Sequence, residues 1–454
     1  MAGNLELIIA LVIAAVLMVV LAEWVVKRAE IGVGLMLGCM LLGVALNDNV
    51  PGTIPSVSFG PAEIQVTDLA FGLVLGAAVA RLARARRLNW AQWGLLLFGV
   101  LTLLSLVRGT GEFGPEASAA EFRGFMRFSA AALYLVSFPP TGWLRERIAT
   151  LWLVATVPVM LVASLRWLAT LTDLRIGVFG AEFDAAIRSL SGTHTFFLAH
   201  AFLLTVPLWE MRGKQARVLK CLSVVLLVFV LLLNRRTVWI TLIVGVALIV
   251  IRNRKLRRPA VALAVAGAIA ASGAFLAFSG EEGAGRGGTP IAQSATSTDT
   301  LSWRIDGWRV LLADGPDTPS EWIIGEPFGT GFARRIGGAD FESQPHNLYL
   351  ETLLRTGVLG AALLIGLFGA TLLTFSRRPL DGSGLLSPGF FSPGVLMAMF
   401  VAQLIWFMAW APGLEQGIIT GLAASWAAAN VRTRATPLAQ DRREPSSPPA
   451  TVQV

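Results

Sequence analysis

A single imidazole stands where a long polar segment meets an apolar helix, in Pro345-His346-Asn347-Leu348-Tyr349-Leu350-Glu351. An unperturbed imidazole titrates near pH ~6.5, so it can take a proton from a hydroxyl at neutral pH. Pro345 restrains the backbone before it. Asn347 suits the N-cap of a helix beginning at Leu348, and the positive end of that helix dipole disfavours imidazolium and keeps the base neutral. Asn347, Tyr349 and Trp308 form the supporting set, with Trp303 and Trp308 offering flat faces on which a sugar ring can stack.

Arginines supply the complementary half. Arg235 and Arg236 sit at the mouth of an apolar span (Leu233-Asn234-Arg235-Arg236-Thr237-Val238-Trp239), and Arg304 lies early in an amphipathic stretch. Arg123 and Arg127, four residues apart on one helical face, extend the patch, as does Arg166. A guanidinium is permanently charged and planar, and it grips phosphate oxygens in pairs. At the edge of low-dielectric material, several of them stabilise a departing diphosphate without a metal. A base beside fixed cations therefore points to group transfer from a diphosphate. Each residue also has a plainer reading: a solitary loop histidine packs, and interfacial arginines snorkel toward headgroups. His194 and His200, six apart, read as packing residues. Glu351 and Arg355 read as a structural i,i+4 pair.

The elements that must hold these groups are apolar. Of 454 residues, 55% are hydrophobic, and the mean hydropathy is +0.66, well above a soluble domain's need. About 20 apolar residues cross a hydrocarbon layer of about 30 Å, and thirteen such segments are expected. They run over 5–26, 30–46, 64–80, 90–107, 122–138, 148–170, 193–209, 217–233, 237–251, 259–278, 348–375, 391–410 and 413–430. The first lacks a basic leader and a cleavage site, so it is expected to be retained. Basic residues cluster in alternate connections (Arg81 to Arg87, Arg212 to Lys220, Arg252 to Arg258 and the C-terminal tail), whereas 47–65 has none. Positive charge stays cytoplasmic, which puts the N-terminus outside, the C-terminus inside and His346 on the outer side.

Four parts follow: membrane helices over 1–278, an extracytoplasmic loop over 279–347, the last membrane helices over 348–434 and a disordered cytoplasmic tail over 435–454. Within the loop, 281–300 is rich in Gly, Ser and Thr and reads as flexible. Next, Leu301, Ile305, Trp308 and Leu312 share one helical face while Arg304 and Asp306 lie elsewhere, as in a short interfacial helix. Gly325 and Gly329-Thr330-Gly331 are turn signals.

Several classes are excluded. The two cysteines, Cys39 and Cys221, lie in expected spans, so the loop offers no disulfide framework and no zinc site, and no metal or cofactor is expected. Its Gly-Arg-Gly-Gly lacks the Lys and Ser/Thr of a phosphate loop. Topology and contact with anionic membrane lipids account for the net charge of +8, without nucleic acid. A flippase or transporter of lipid-linked glycan, the rival class, calls for charges deep inside several spans, and most span centres here have none.

The run His346-Asn347-Leu348-Tyr349-Leu350-Glu351-Thr352-Leu353-Leu354-Arg355-Thr356-Gly357-Val358-Leu359-Gly360 resembles the end of the large loop of bacterial O-antigen ligases and polymerases. Asn234 to Trp239 resembles that family's Arg-bearing helix start, and Ser302 to Trp308 its Arg-x-x-x-Trp element, in the same order over about residues 190–375. The resemblance implies an all-α, GT-C-like polytopic protein of about twelve membrane helices. It implies glycan transfer or polymerisation at the outer face of the plasma membrane, from an undecaprenyl-diphosphate-linked donor to a glycan, lipid A-core or other acceptor, in lipopolysaccharide or exopolysaccharide synthesis. In that reading His346 is the base, and Arg236 and Arg304 hold the diphosphate, with Arg235, Arg127 and Arg123 in reserve.

Overall fold

A computed structural model describes residues 19–46, 54–59, 62–172, 189–258, 261–262, 265, 299–336, 338–377 and 391–434. Most of the first expected span, most of the span over 259–278, the Gly-rich stretch over 281–300 up to residue 298 and the tail lie outside the described residues. Among these, helices dominate in chain order: α1 (Ala29–Leu46), α2 (Val66–Arg84), α3 (Trp90–Glu112), α4 (Pro115–Val136), α5 (Gly142–Thr172), α6 (Gly192–Thr205), α7 (Lys214–Leu232), α8 (Arg236–Arg252), α9 (Asp299–Ala313), α10 (Pro319–Ile324), α11 (Leu348–Ser376), α12 (Pro393–Trp406) and α13 (Leu414–Arg434). Residues 19–27 are helical as well. Every expected span that falls on described residues coincides with one of these helices.

Five of them are long and apolar enough to cross a bilayer: α1, α2, α3, Gly142–Ala169 within α5, and α11. Their outward faces carry large apolar side chains, such as Val154 at 63% and Leu161 at 58% exposure, which water would not tolerate in such density but lipid does. The chain is an all-α polytopic membrane protein. Two short antiparallel hairpins, β1–β2 (Ser56–Phe59, Ala62–Gln65) and β3–β4 (Arg334–Ile336, Ala339–Phe341), sit in the connections, where hydropathy reads only turns.

Helix α4 is the central post, packed most heavily against α13. Gly417 and Gly421, spaced four apart, let α13 approach so closely that a Cβ on either would overlap the Phe128 or Ala132 carbonyl of α4. Small residues at this spacing are what drives helices together in lipid, where no hydrophobic effect separates helix from solvent.

Three features depart from a plain reading of the sequence. First, α11, over the expected span 348–375, is not one straight rod. Gly357 takes φ 63° and ψ −169° inside it, and α10 fills the break, so a Cβ there would overlap the Ile323 carbonyl. Only glycine combines that backbone with that approach. Second, Arg355 does not pair with Glu351. Its Nε lies 3.0 Å from Glu121 Oε2 and its Nη1 2.9 Å from Glu326 Oε2, while Nη2 reaches Glu121 Oε1 (3.2 Å) and the Gly331 carbonyl. Third, α9 turns Arg304, Gly307, Trp308 and Leu311 inward and leaves Leu312 at 39% exposure. The polar side chain goes inward because carbonyls wait for it there, a force that apolar periodicity does not register.

The loop between α10 and β3 is riveted at several points. Arg108 donates to the Gly325 carbonyl (2.9 Å), Ser118 Oγ to the Phe328 carbonyl (3.0 Å) and the Gly329 N–H to Glu121 (2.8 Å). The Phe328 ring sits 5.4 Å from both Phe122 and Phe125. Arg355 joins this set with no exposure at all. Replacing Arg355 with Ala strands Glu121 and Glu326 together in the interior and should cost about 3–5 kcal/mol. The melting temperature of the purified protein should drop and the loop should become protease-sensitive; an unchanged melt and digestion pattern would reject the clamp.

Candidate functional site

His346 is one of two described non-glycine residues with positive φ, at 51°; the other is Asn234, at 49°. Histidine and asparagine reach this region more readily than most residues, yet the conformation costs energy and persists only where surroundings enforce it. Both stand immediately before a helix bearing the expected chemistry, α8 or α11.

The enforcement at His346 is visible on each side. Upstream, Trp308 Nε1 of α9 donates to the Pro345 carbonyl at 2.8 Å. Downstream, Asn347 Oδ1 accepts from the Leu350 N–H at 3.1 Å and caps α11. The Leu348 N–H reaches the Phe407 carbonyl (2.9 Å), and Tyr349 Oη donates to the Leu404 carbonyl (2.9 Å). Trp308 and Tyr349 thus fix backbone through the indole N–H and the phenol. The turn after α12 carries Trp410, whose ring centre is 5.4 Å from that of His346.

Arg304 meets the same indole. Its guanidinium carbon lies 6.0 Å from the Trp410 ring centre, and Nη1 donates to the Ala409 carbonyl at 3.1 Å. Burial lowers the Arg304 pKa from its ordinary value without removing the charge. A second cation, Arg334, is held by the Phe332 (2.9 Å) and Ser343 (2.6 Å) carbonyls. Burial first, then the charges of Arg304 and Arg334, push the His346 imidazole down to about 4. At neutral pH it is therefore an uncharged proton acceptor.

The other expected arginines are placed differently. Arg235 extends as the N-cap residue of α8 and donates to the Leu190 carbonyl at 2.9 Å, one residue before the Ser191 cap of α6. Arg236 opens α8 and is half-buried. Arg123 does not join a free cationic patch: its Nε is 3.1 Å from Asp68 Oδ2, and Arg127 Nη2 is 4.0 Å from Asp68 Oδ1. Arg166 is likewise occupied by the Ser189 (3.1 Å) and Val44 (2.6 Å) carbonyls. One carboxylate and a few carbonyls already engage these three guanidinium groups.

A cavity of about 190 Å³ lies behind this region, walled by Arg127, Ser191, Thr193, His194, Trp410 and Glu415 among others. His194 is buried, with Nδ1 2.8 Å from Ser191 Oγ, and lines this cavity. His200 does pack, fully buried between Phe196 and Trp152. Sequence reading missed Trp410, Arg334 and Glu415. The only signal was Trp406 and Trp410 four apart at a span end, which stack in parallel at 5.0 Å.

Residues 221–365 match the family model described as O-Antigen ligase. The match covers part of the chain, and that part includes Arg235, Arg236, Arg304 and His346. No curated protein matches the chain. The electrostatics make a direct prediction. In an NMR titration of labelled imidazoles, His346 should protonate near pH 4, and Arg304→Gln should move its midpoint upward by removing a repelling charge. A midpoint at the ordinary ~6.5 that ignores Arg304 would contradict the arrangement.

Proposed function

Starting from the O-antigen ligase match, we propose that the protein is a GT-C-like membrane glycosyltransferase. It transfers or polymerises an undecaprenyl-diphosphate-linked glycan at the outer face of the bacterial plasma membrane. The observation that carries this reading is the strained, neutral His346 sharing the Trp410 ring with Arg304.

In the reaction, His346 takes the proton of an acceptor hydroxyl. The freed oxygen attacks the anomeric carbon of the donor, and the bond from that carbon to the diphosphate oxygen breaks. The electron pair leaves with the diphosphate, which Arg304 stabilises, assisted by Arg235 or Arg236. Attack from the side opposite the leaving group inverts the anomeric centre, as the family resemblance implies. The acceptor is another glycan, lipid A-core or a related hydroxyl.

The depressed imidazole fits this sequence of events. Unliganded, it is a weak base. A bound diphosphate adds negative charge beside Arg304 and Arg334 and cancels part of their repulsion, so basicity rises only once donor is in place. Because the free-enzyme pKa is lowered, kcat/KM should stay flat from neutrality down toward pH ~5 and fall as pH approaches 4. The acid limb of kcat should lie at higher pH than that of kcat/KM.

Purified protein given lipid-linked oligosaccharide should yield longer or transferred glycan. His346→Ala should reduce the rate by about 10²–10⁴-fold while leaving membrane insertion intact. Arg304→Lys, which keeps charge but loses the planar fork, should raise the donor KM about tenfold. Normal elongation by His346→Ala would remove the base from the mechanism, and unchanged donor KM in Arg304→Lys would remove the phosphate contact.

A further inference from the structure

We propose that the cavity walled by Trp410 is a subsite for one uncharged pyranose ring of the acceptor glycan. The proposal rests on the preceding reading, in which His346 deprotonates an acceptor hydroxyl, and it names where the rest of that acceptor sits.

Size is the first constraint. At about 190 Å³ the cavity falls below the ~300 Å³ at which sites for drug-sized ligands begin, and it would hold roughly six waters at ~30 Å³ each. That is on the scale of a single sugar ring. Chemistry is the second. Trp410 lends the wall an apolar aromatic ring, stacked on Trp406, against which the C–H groups of a sugar can pack. Ser191, Thr193, His194, Arg127 and Glu415 bring both hydrogen-bond donors and acceptors to the wall, as the hydroxyls of a pyranose require.

Charge decides which substrate part enters. The guanidinium of Arg127 faces the Asp68 carboxylate at 4.0 Å, and Glu415 brings a further carboxylate to the wall. Such a wall has no surplus positive charge for a diphosphate. Arg304, by contrast, is not among the wall residues and meets Trp410 beside His346. The donor's first sugar must stay joined to its diphosphate near Arg304. A general base needs its hydroxyl within hydrogen-bond reach, and Trp410 is the one residue shared by the cavity wall and the His346 contact. The neutral ring behind Trp410 is therefore the acceptor's.

Cys39 belongs to the cavity wall, and the other cysteine, Cys221, is exposed on α7. Full-length Cys221→Ser protein in nanodiscs therefore reports occupancy through the rate at which a small methanethiosulfonate labels Cys39. Glucose, galactose and N-acetylglucosamine would each be titrated, against undecaprenyl diphosphate as the donor-side probe. At least one sugar should slow labelling about fivefold at saturating concentration, and undecaprenyl diphosphate should not. Glu415→Gln should weaken that protection about tenfold. Protection by undecaprenyl diphosphate, or by none of the sugars, would overturn the subsite. The readout needs no turnover, so a protein that protects Cys39 with sugar yet moves no glycan would contradict the transferase reading and leave the sugar site standing.

Discussion

One fully buried guanidinium holds the site together. Arg355 lies at the start of α11, and its fork binds Glu121 from α4 and Glu326 and the Gly331 carbonyl from the loop that follows α10. Three segments far apart in sequence are thereby fixed to one another. Breaking a buried pair strands charge, so the arrangement is close to all-or-none. With the loop clamped, β3 and α9 dock over the start of α11, and Trp308 can reach the Pro345 carbonyl. His346 then has nowhere to go but the left-handed backbone it adopts.

That rigidity explains the electrostatics. A flexible loop would let the imidazole turn to solvent and titrate ordinarily. Held between Arg304, Arg334 and Trp410, it loses water and feels two positive charges. In the proposed mechanism the same cations that repel a proton attract a diphosphate, which couples donor binding to base strength through shared charges. No moving part is needed to make the base competent only when there is something to attack.

Much of this was legible in the chain. Apolar windows of bilayer length placed the helices, because a membrane demands them and little else produces them. The Asn347 cap and the four-residue spacing of Arg304 and Trp308 followed from local rules. The exposure of helix faces did not: α9 turns Arg304 inward toward the Ala409 carbonyl, a partner 105 residues away. Glu351 looked like the natural mate of Arg355, yet Glu121 lies 234 positions upstream and wins on geometry that only the folded bundle defines. Arg123 and Arg127 face Asp68 for the same reason, since that carboxylate comes from another helix. Trp410 carried no local mark beyond its spacing from Trp406, although it joins base, cation and cavity.

The central claim is that His346 and Arg304 act on one ligand across the Trp410 ring. An experimental structure with a non-transferable phosphonate analogue of a polyprenyl-diphosphate sugar tests it most directly. The account predicts a phosphate oxygen within about 4 Å of the Arg304 guanidinium, with the imidazole facing the anomeric carbon from the opposite side. A diphosphate bound on the other membrane face, or beyond reach of Arg304, would contradict it.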